Sequence, residues 1–253
     1  MNEPKNYFGS AIFKLDDRPR FNRGVNEMMS ALNPYWRRGV FIGDNLITFS
    51  KNLSFLDDQT LMAAIQRHAE TDIERSIIWR TAVLVWAARN GLRREGAFVE
   101  CGCYKGTSAR IICDAVDFNA SEKDFFLYDV FEYPEGGASF PKLPDIGPNL
   151  FEEVKARFAD VPRAHIIKGL VPESLIDSAP EQIAFLHIDM NNVTPEIAAL
   201  DLLFERVVPG GMIILDDYGY IPYVAQRDAE RVWFAQRGYD VLELPTSQGL
   251  VIR

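Results

Sequence analysis

Cysteine, histidine and long apolar runs are scarce in this sequence. It holds three cysteines and three histidines in 253 residues. An odd, low cysteine count argues against a disulfide-stapled secreted fold and fits a reducing compartment, so a cytoplasmic location is expected. Cys101-Gly102-Cys103 has no second Cys/His pair near it to complete a tetrahedral metal site. These thiols read as small apolar residues packed around a tight turn. No run of about 18 apolar residues is present, so no membrane-spanning helix is expected. The opening MNEPKNYFGSAIFKLDD has early acids and no apolar stretch, unlike a signal peptide. Positive charge is also in deficit: 27 Lys and Arg stand against 36 Asp and Glu, for a net charge of −9. An acidic surface repels phosphate backbones, so the expected partner is a small molecule and not a nucleic acid.

What is present is an ordinary globular composition, 47% hydrophobic and 25% charged. The length suits one large α/β domain with an appendage. Residues 1–74 read as an N-terminal helical cap or dimerisation segment, hence an expected homo-oligomer. Short apolar pieces such as YFGSAIF and GVFIGDNLITF alternate there with polar breaks, which predicts short helices and loops. Helical spacing then runs from Ser54 to Asn90 and stops at Asn90-Gly91. Over 75–253 the pattern changes. Buried strands are predicted at 96–102, 124–132, 164–169, 184–190 and 212–218. Helical stretches follow the first, lie at 149–160 and 195–208, and return at 224–238. This alternation predicts a doubly wound, mostly parallel, Rossmann-like sheet. The chain closes with DVLELP, a TSQG turn and GLVIR. So short a connection cannot join parallel neighbours, so the sheet must end in an antiparallel hairpin. The Pro/Gly-rich stretch 133–149 is a long loop of the kind that serves as a lid.

The chemistry-bearing residues fall at predicted strand ends. The first strand runs into ECGCYKGTS, with Glu100, Gly102, Gly106 and Ser108 at a strand-to-helix turn. Glycines there let a ligand approach the backbone, and the helix start presents free N–H groups. The spacing is E-x-G-x-x-x-G, neither a dinucleotide fingerprint nor a P-loop. An acid ahead of the glycines repels pyrophosphate and suits a ligand with an ammonium group, such as the methionine end of S-adenosylmethionine. Asp129 ends the second strand, where an acid commonly accepts ribose hydroxyls. Phe131 follows it, able to flank an adenine or to pack in the core. Asp189 ends the fourth strand, and Asp216-Asp217 end the fifth. Three acids gathered at carboxyl ends repel one another unless a cation or a proton relieves them. Oxygen-only donors favour Mg²⁺, Ca²⁺ or Mn²⁺. His187, two residues before Asp189 on the same strand face, reads first as a satisfied core residue.

FVECGCYKGTSA, HIDMNNVTPEIAALDLLFERVVPGG and IILDDYG together resemble the macrocin O-methyltransferase family. These are class I S-adenosylmethionine-dependent enzymes that methylate sugar hydroxyls. The resemblance covers residues 75 to 253. It implies a seven-stranded sheet with the last strand antiparallel. It also implies that Glu100, Gly102, Tyr104 and Ser108 line the methionine end of the cofactor, and that Asp129 holds its ribose. Asp189, Asp216 and Asp217 are implied to hold a divalent ion, Mg²⁺ or another.

One position departs from the family. Its members often carry D-x-D at the fourth strand; this chain reads Asp189-Met190-Asn191. An amide can hydrogen-bond a hydroxyl or offer a carbonyl oxygen to a metal, but it cannot take a proton. The catalytic candidates are therefore Asp189, Asn191 and Asp217, with the base to be found among the two acids. Two rival readings stay open on the sequence. One is a relative that binds the cofactor without turnover, or without metal, as a partner subunit. The other is a nicotinamide oxidoreductase, against which the missing G-x-G-x-x-G and the terminal hairpin argue.

Overall fold

The computed structural model describes residues 5–9, 12, 14–133 and 143–253. Contacts divide the chain into two units, Met1–Ala82 and Val83–Arg253. Residues 134–142 of the expected lid lie outside the described residues.

The first unit holds strands where short helices and loops were expected. β1 (Tyr7–Phe8), β2 (Phe41–Gly43) and β3 (Leu46–Thr48) make a three-stranded sheet in that order. The hairpin between β2 and β3 turns on Asp44-Asn45, both with positive φ, +50° and +55°. That is the two-residue turn whose twist matches paired strands, and Asp and Asn tolerate it best after Gly. The apolar run GVFIGDNLITF is thus a hairpin whose turn signal lacks the usual glycine. Helices α1 (Arg18–Ala31), α2 (Gln59–His68) and α3 (Asp72–Ser76) complete the unit. Asp17, Asp58 and Thr71 cap them, each accepting a backbone N–H. α4 (Ile78–Gly91) follows.

The second unit is built on a seven-stranded sheet. Its strands are β4 (Ala97–Cys101), β5 (Phe125–Asp129), β6 (Ala164–Lys168), β7 (Ile183–Ile188), β8 (Val207–Leu215), β9 (Leu242–Glu243) and β10 (Gly249–Ile252). The spatial order is β6-β5-β4-β7-β8-β10-β9. The first five are parallel, and β10 runs antiparallel to both β8 and β9. The doubly wound sheet and its closing hairpin are as the sequence pattern predicted. β4 and β7 are buried at every position, as continuous apolar strands covered on both faces should be. Phe98, Phe125 and Phe185 pack edge-on or tilted across three adjacent strands. Each contributes about 2–3 kcal/mol by burial.

Helices α5 (Thr107–Ala115), α6 (Leu150–Arg157), α7 (Glu173–Ile176), α8 (Val193–Leu203) and α9 (Val224–Ala235) cover the sheet. The strand 212–218 begins earlier than expected, at Val207. Pro209-Gly210-Gly211 lies inside β8 and does not end the preceding helix, which stops at Leu203. Pro is tolerated there because Val207–Gly211 is the irregular start of the strand, where its register with β7 shifts. The chain order reverses between β4 and β7. Ligands bind at such a switch point, outside the carboxyl ends of the strands.

Among the described residues no helix is long and apolar enough to cross a membrane. All three cysteines are free and buried. Burial pushes each thiol up, Cys113 to about 12, so none is a ready nucleophile.

Candidate active site

The turn after β4 is shaped by backbone. Gly102 has φ +91°, and a Cβ built on it would stand 1.9 Å from the Asp189 carbonyl oxygen. Only glycine lets the β4 and β7 ends approach so closely. Gly106 has φ +71° and donates its N–H to the Cys103 carbonyl at 2.7 Å, closing the turn. It also begins α5 as an N-cap without a side chain, and Ser108 sits in the first helical turn. Unsatisfied N–H groups at such a helix start are a ready place for a ligand's anionic end.

Asp129, at the end of β5, ties this turn down. Its Oδ2 accepts the Tyr104 N–H at 2.7 Å and its Oδ1 accepts the Phe131 N–H at 2.9 Å. Burial raises its pKa above the ordinary carboxylate range, against the lowering effect of these backbone donors. The Val130 N–H also acts on this carboxylate, which with four lone pairs keeps capacity for a hydroxyl. Tyr104 donates its hydroxyl to Asp145 Oδ2 at 2.7 Å, and Lys105 Nζ lies 2.6 Å from the same oxygen. The Phe131 ring is fully buried and packs on Phe151 with centroids 5.3 Å apart. Its backbone N–H is the group that reaches Asp129.

Side chains from three strands meet on the β7 side. In the parallel register Glu100 on β4 lies opposite His187 on β7, and His187 opposite Ile214 on β8. Asp216 stands two residues beyond Ile214, and Asp189 two beyond His187, so all four share one face. His187 Nδ1 is 2.8 Å from Glu100 Oε1, and its Nε2 is 3.5 Å from Asp216 Oδ1. Glu100 is only 2% exposed and His187 1%. Burial lowers the imidazole pKa, but Asp216 and Glu100 outweigh it and raise the value to about 10. Gln248 donates to Asp216 Oδ1 at 3.0 Å, and Thr246 donates to Gln248 Oε1, also at 3.0 Å. These two come from the closing hairpin, and no local signal marks them.

Potential donor atoms of His187, Asp189 and Asp216 all lie within 4.8 Å of one another. Asn191 donates Nδ2 to Asp189 Oδ1 at 3.2 Å, and its buried Oδ1 has no hydrogen-bond partner. An acceptor oxygen left unanswered beside gathered carboxylates suits a divalent cation. Asp217 is not a member of this group. It is buried, and its charge raises the pKa values of Glu196 on α8 and Glu230 on α9. Alternation at the strand end separates it from Asp216, so the paired acids serve different surroundings. The third residue that gathers with Asp189 and Asp216 is His187.

Glu196 and Glu230 are themselves fully buried. Glu196 Oε1 accepts the Met190 N–H at 3.0 Å. Burial and mutual repulsion raise Glu196 well above the carboxylate range, and burial raises Glu230 to about 8. Burial and like charge thus bias both carboxyls toward the protonated form.

Residues 99–218 match the family model described as "Methyltransferase domain". This span holds Glu100, Asp129, His187, Asp189, Asp216 and Asp217 together. No curated protein matches the sequence significantly. Among solved structures the chain is similar to the O-methyltransferase NovP, at 20% identity and TM-score 0.58, covering 70% of this chain and 80% of that one. It is also similar to the calicheamicin methyltransferase CalS11, at 14% identity and TM-score 0.56, covering 95% and 94%. A third is the SAH-bound methyltransferase PaMTH1 of Podospora anserina, at 13% identity and TM-score 0.54, covering 96% and 98%. At these identities the likeness is one of fold, and it agrees with the seven-stranded sheet.

Proposed function

We propose that the chain is an S-adenosylmethionine-dependent O-methyltransferase of the macrocin-like kind, acting on a sugar hydroxyl of a saccharide or glycosylated metabolite. The observation that carries the reading is the pairing, at one switch point of a methyltransferase domain, of the Gly102–Asp129 turn with the His187–Asp189–Asp216 group. CalS11, a TDP-rhamnose 3'-O-methyltransferase of similar fold, supports the choice of acceptor class.

In this reading Gly102, Tyr104, Gly106 and Ser108 take the methionine end of the cofactor by backbone approach. Asp129 accepts the ribose hydroxyls through its remaining lone pairs. The cofactor supplies an electrophilic methyl group; the acceptor oxygen forms the new C–O bond, the S–C bond breaks, and the hydroxyl proton leaves. Asp189 and Asp216 fit a divalent ion such as Mg²⁺, which would lower the acceptor hydroxyl's pKa. Asn191 orients that hydroxyl but cannot take its proton. Of the two candidate bases, Asp189 lies beside Asn191 at the gathered donors, whereas Asp217 acts on Glu196 and Glu230. Positioning the acceptor in line with the sulfonium supplies much of the rate.

Calorimetric titration of S-adenosylhomocysteine, with Mg²⁺ and with EDTA, tests the cofactor. A saccharide panel read by mass spectrometry tests the acceptor, with a gain of one methyl group as the expected result. Failure to bind S-adenosylhomocysteine overturns the reading. Binding without any methylated product favours a cofactor-binding partner subunit, for which the amide at Asn191 is the motivating observation.

A further inference from the structure

The buried Glu100–His187 contact has no part in the cofactor chemistry above. His187 Nδ1 is engaged by Glu100 Oε1 at 2.8 Å. Its Nε2 is buried and makes no hydrogen bond, although it lies 3.5 Å from Asp216 Oδ1. A carboxylate on one imidazole nitrogen, with the other nitrogen turned toward acids, is how proteins orient a metal-binding histidine. In the neutral ring such a contact places the proton on Nδ1 and leaves the lone pair on Nε2. The spacing is also informative. Two donors held about 2.1 Å from one ion, at octahedral to tetrahedral angles, stand about 3.0–3.4 Å apart. An N–H···O hydrogen bond would draw them to about 2.9–3.0 Å. The observed 3.5 Å is nearer the first.

We propose that His187 ligates the divalent cation through Nε2, together with Asp189 and Asp216, and that Glu100 orients it. The inference rests on the proposed function for the presence of a cation and goes beyond it in the donor set. An imidazole among carboxylates shifts preference from Mg²⁺ toward the softer first-row ions, Mn²⁺ among them. It also gives Glu100 a positioning role, where the sequence points to a contact with the methionine end of the cofactor. The acid ahead of the glycines then serves the strand beside it. A proton on Nε2 would answer the same two negative charges, and the experiment separates the two occupants.

The probe is Mn²⁺ alone, read by electron spin-echo envelope modulation on the full chain. The expected result is nitrogen modulation from a coordinated imidazole, which changes to the ¹⁵N pattern when histidine is ¹⁵N-labelled. In His187→Gln that modulation disappears. In Glu100→Gln it persists while Mn²⁺ affinity falls about 10- to 100-fold, the usual effect of losing an orienting carboxylate. The labelled wild-type protein gives an answer even if either variant fails to fold. Bound Mn²⁺ without nitrogen modulation overturns the inference and leaves an oxygen-only site. Absence of Mn²⁺ binding also overturns it. S-adenosylhomocysteine titration on the same samples shows separately whether the methyltransferase reading stands.

Discussion

Around the ends of β4 and β5 the chain shapes its site with backbone; around β7 and β8 it does so with side chains. On the first side Gly102 and Gly106 adopt positive φ, and Asp129 holds two backbone N–H groups. On the second, His187 and Asp189 at the end of β7 converge with Asp216 at the end of β8, backed by Glu100 and Gln248. A backbone-built turn tolerates little change in shape but asks little of its neighbours. A side-chain cluster depends on register, because moving one strand by one residue turns every group to the other face.

The largest expected effect comes from breaking the point where the two halves touch. Gly102→Ala places a Cβ against the Asp189 carbonyl and forces a strained φ. We expect a loss of about 3 kcal/mol or more, measured by urea unfolding. A stability within about 0.5 kcal/mol of wild type would show that the approach is not tight. Next is Asp129→Ala, which leaves the Tyr104 and Phe131 N–H groups without their acceptor. Its S-adenosylhomocysteine affinity should fall at least about tenfold, or 1.4 kcal/mol, while Mn²⁺ affinity stays unchanged. Loss of both would mean the halves are not separable.

The third prediction concerns the acids on the far side of the same strand end. The folded protein keeps a proton on Glu230 up to about pH 8, whereas the unfolded chain releases it near 4.5. The unfolded state therefore binds fewer protons between these values, so this pair makes stability fall as pH rises from about 4.5 to 8. Glu230→Gln removes that slope. It should raise the urea midpoint at pH 8, by on the order of 1 kcal/mol in stability, and change little near pH 5. An unchanged slope would show that the pair carries no such proton.

The alternation of apolar strands and helices was readable because a covered parallel strand is a continuous apolar run, and the short TSQG connection excludes a parallel crossover. The acids at strand ends were readable for the same reason: each breaks an apolar run. The N-terminal hairpin was not, because Asp44-Asn45 lacks the glycine that usually marks such a turn. Phe131 reads in the sequence as a core ring or a ligand-flanking one, core packing first, and the structure shows its ring packed on Phe151.

By itself the sequence determined that a run of parallel strands makes the large sheet, that it closes in an antiparallel hairpin, and that glycines and acids stand near the strand ends. Those are local properties of hydrophobic pattern and backbone freedom. The tertiary structure decided which of these residues meet. The register sets Glu100 beside His187 and His187 beside the strand bearing Asp216. The alternation of side chains divides Asp216 from Asp217, although they are neighbours in the chain. No spacing rule along one dimension carries that information, because the distance between strands 87 residues apart is set by sheet order and not by the chain between them.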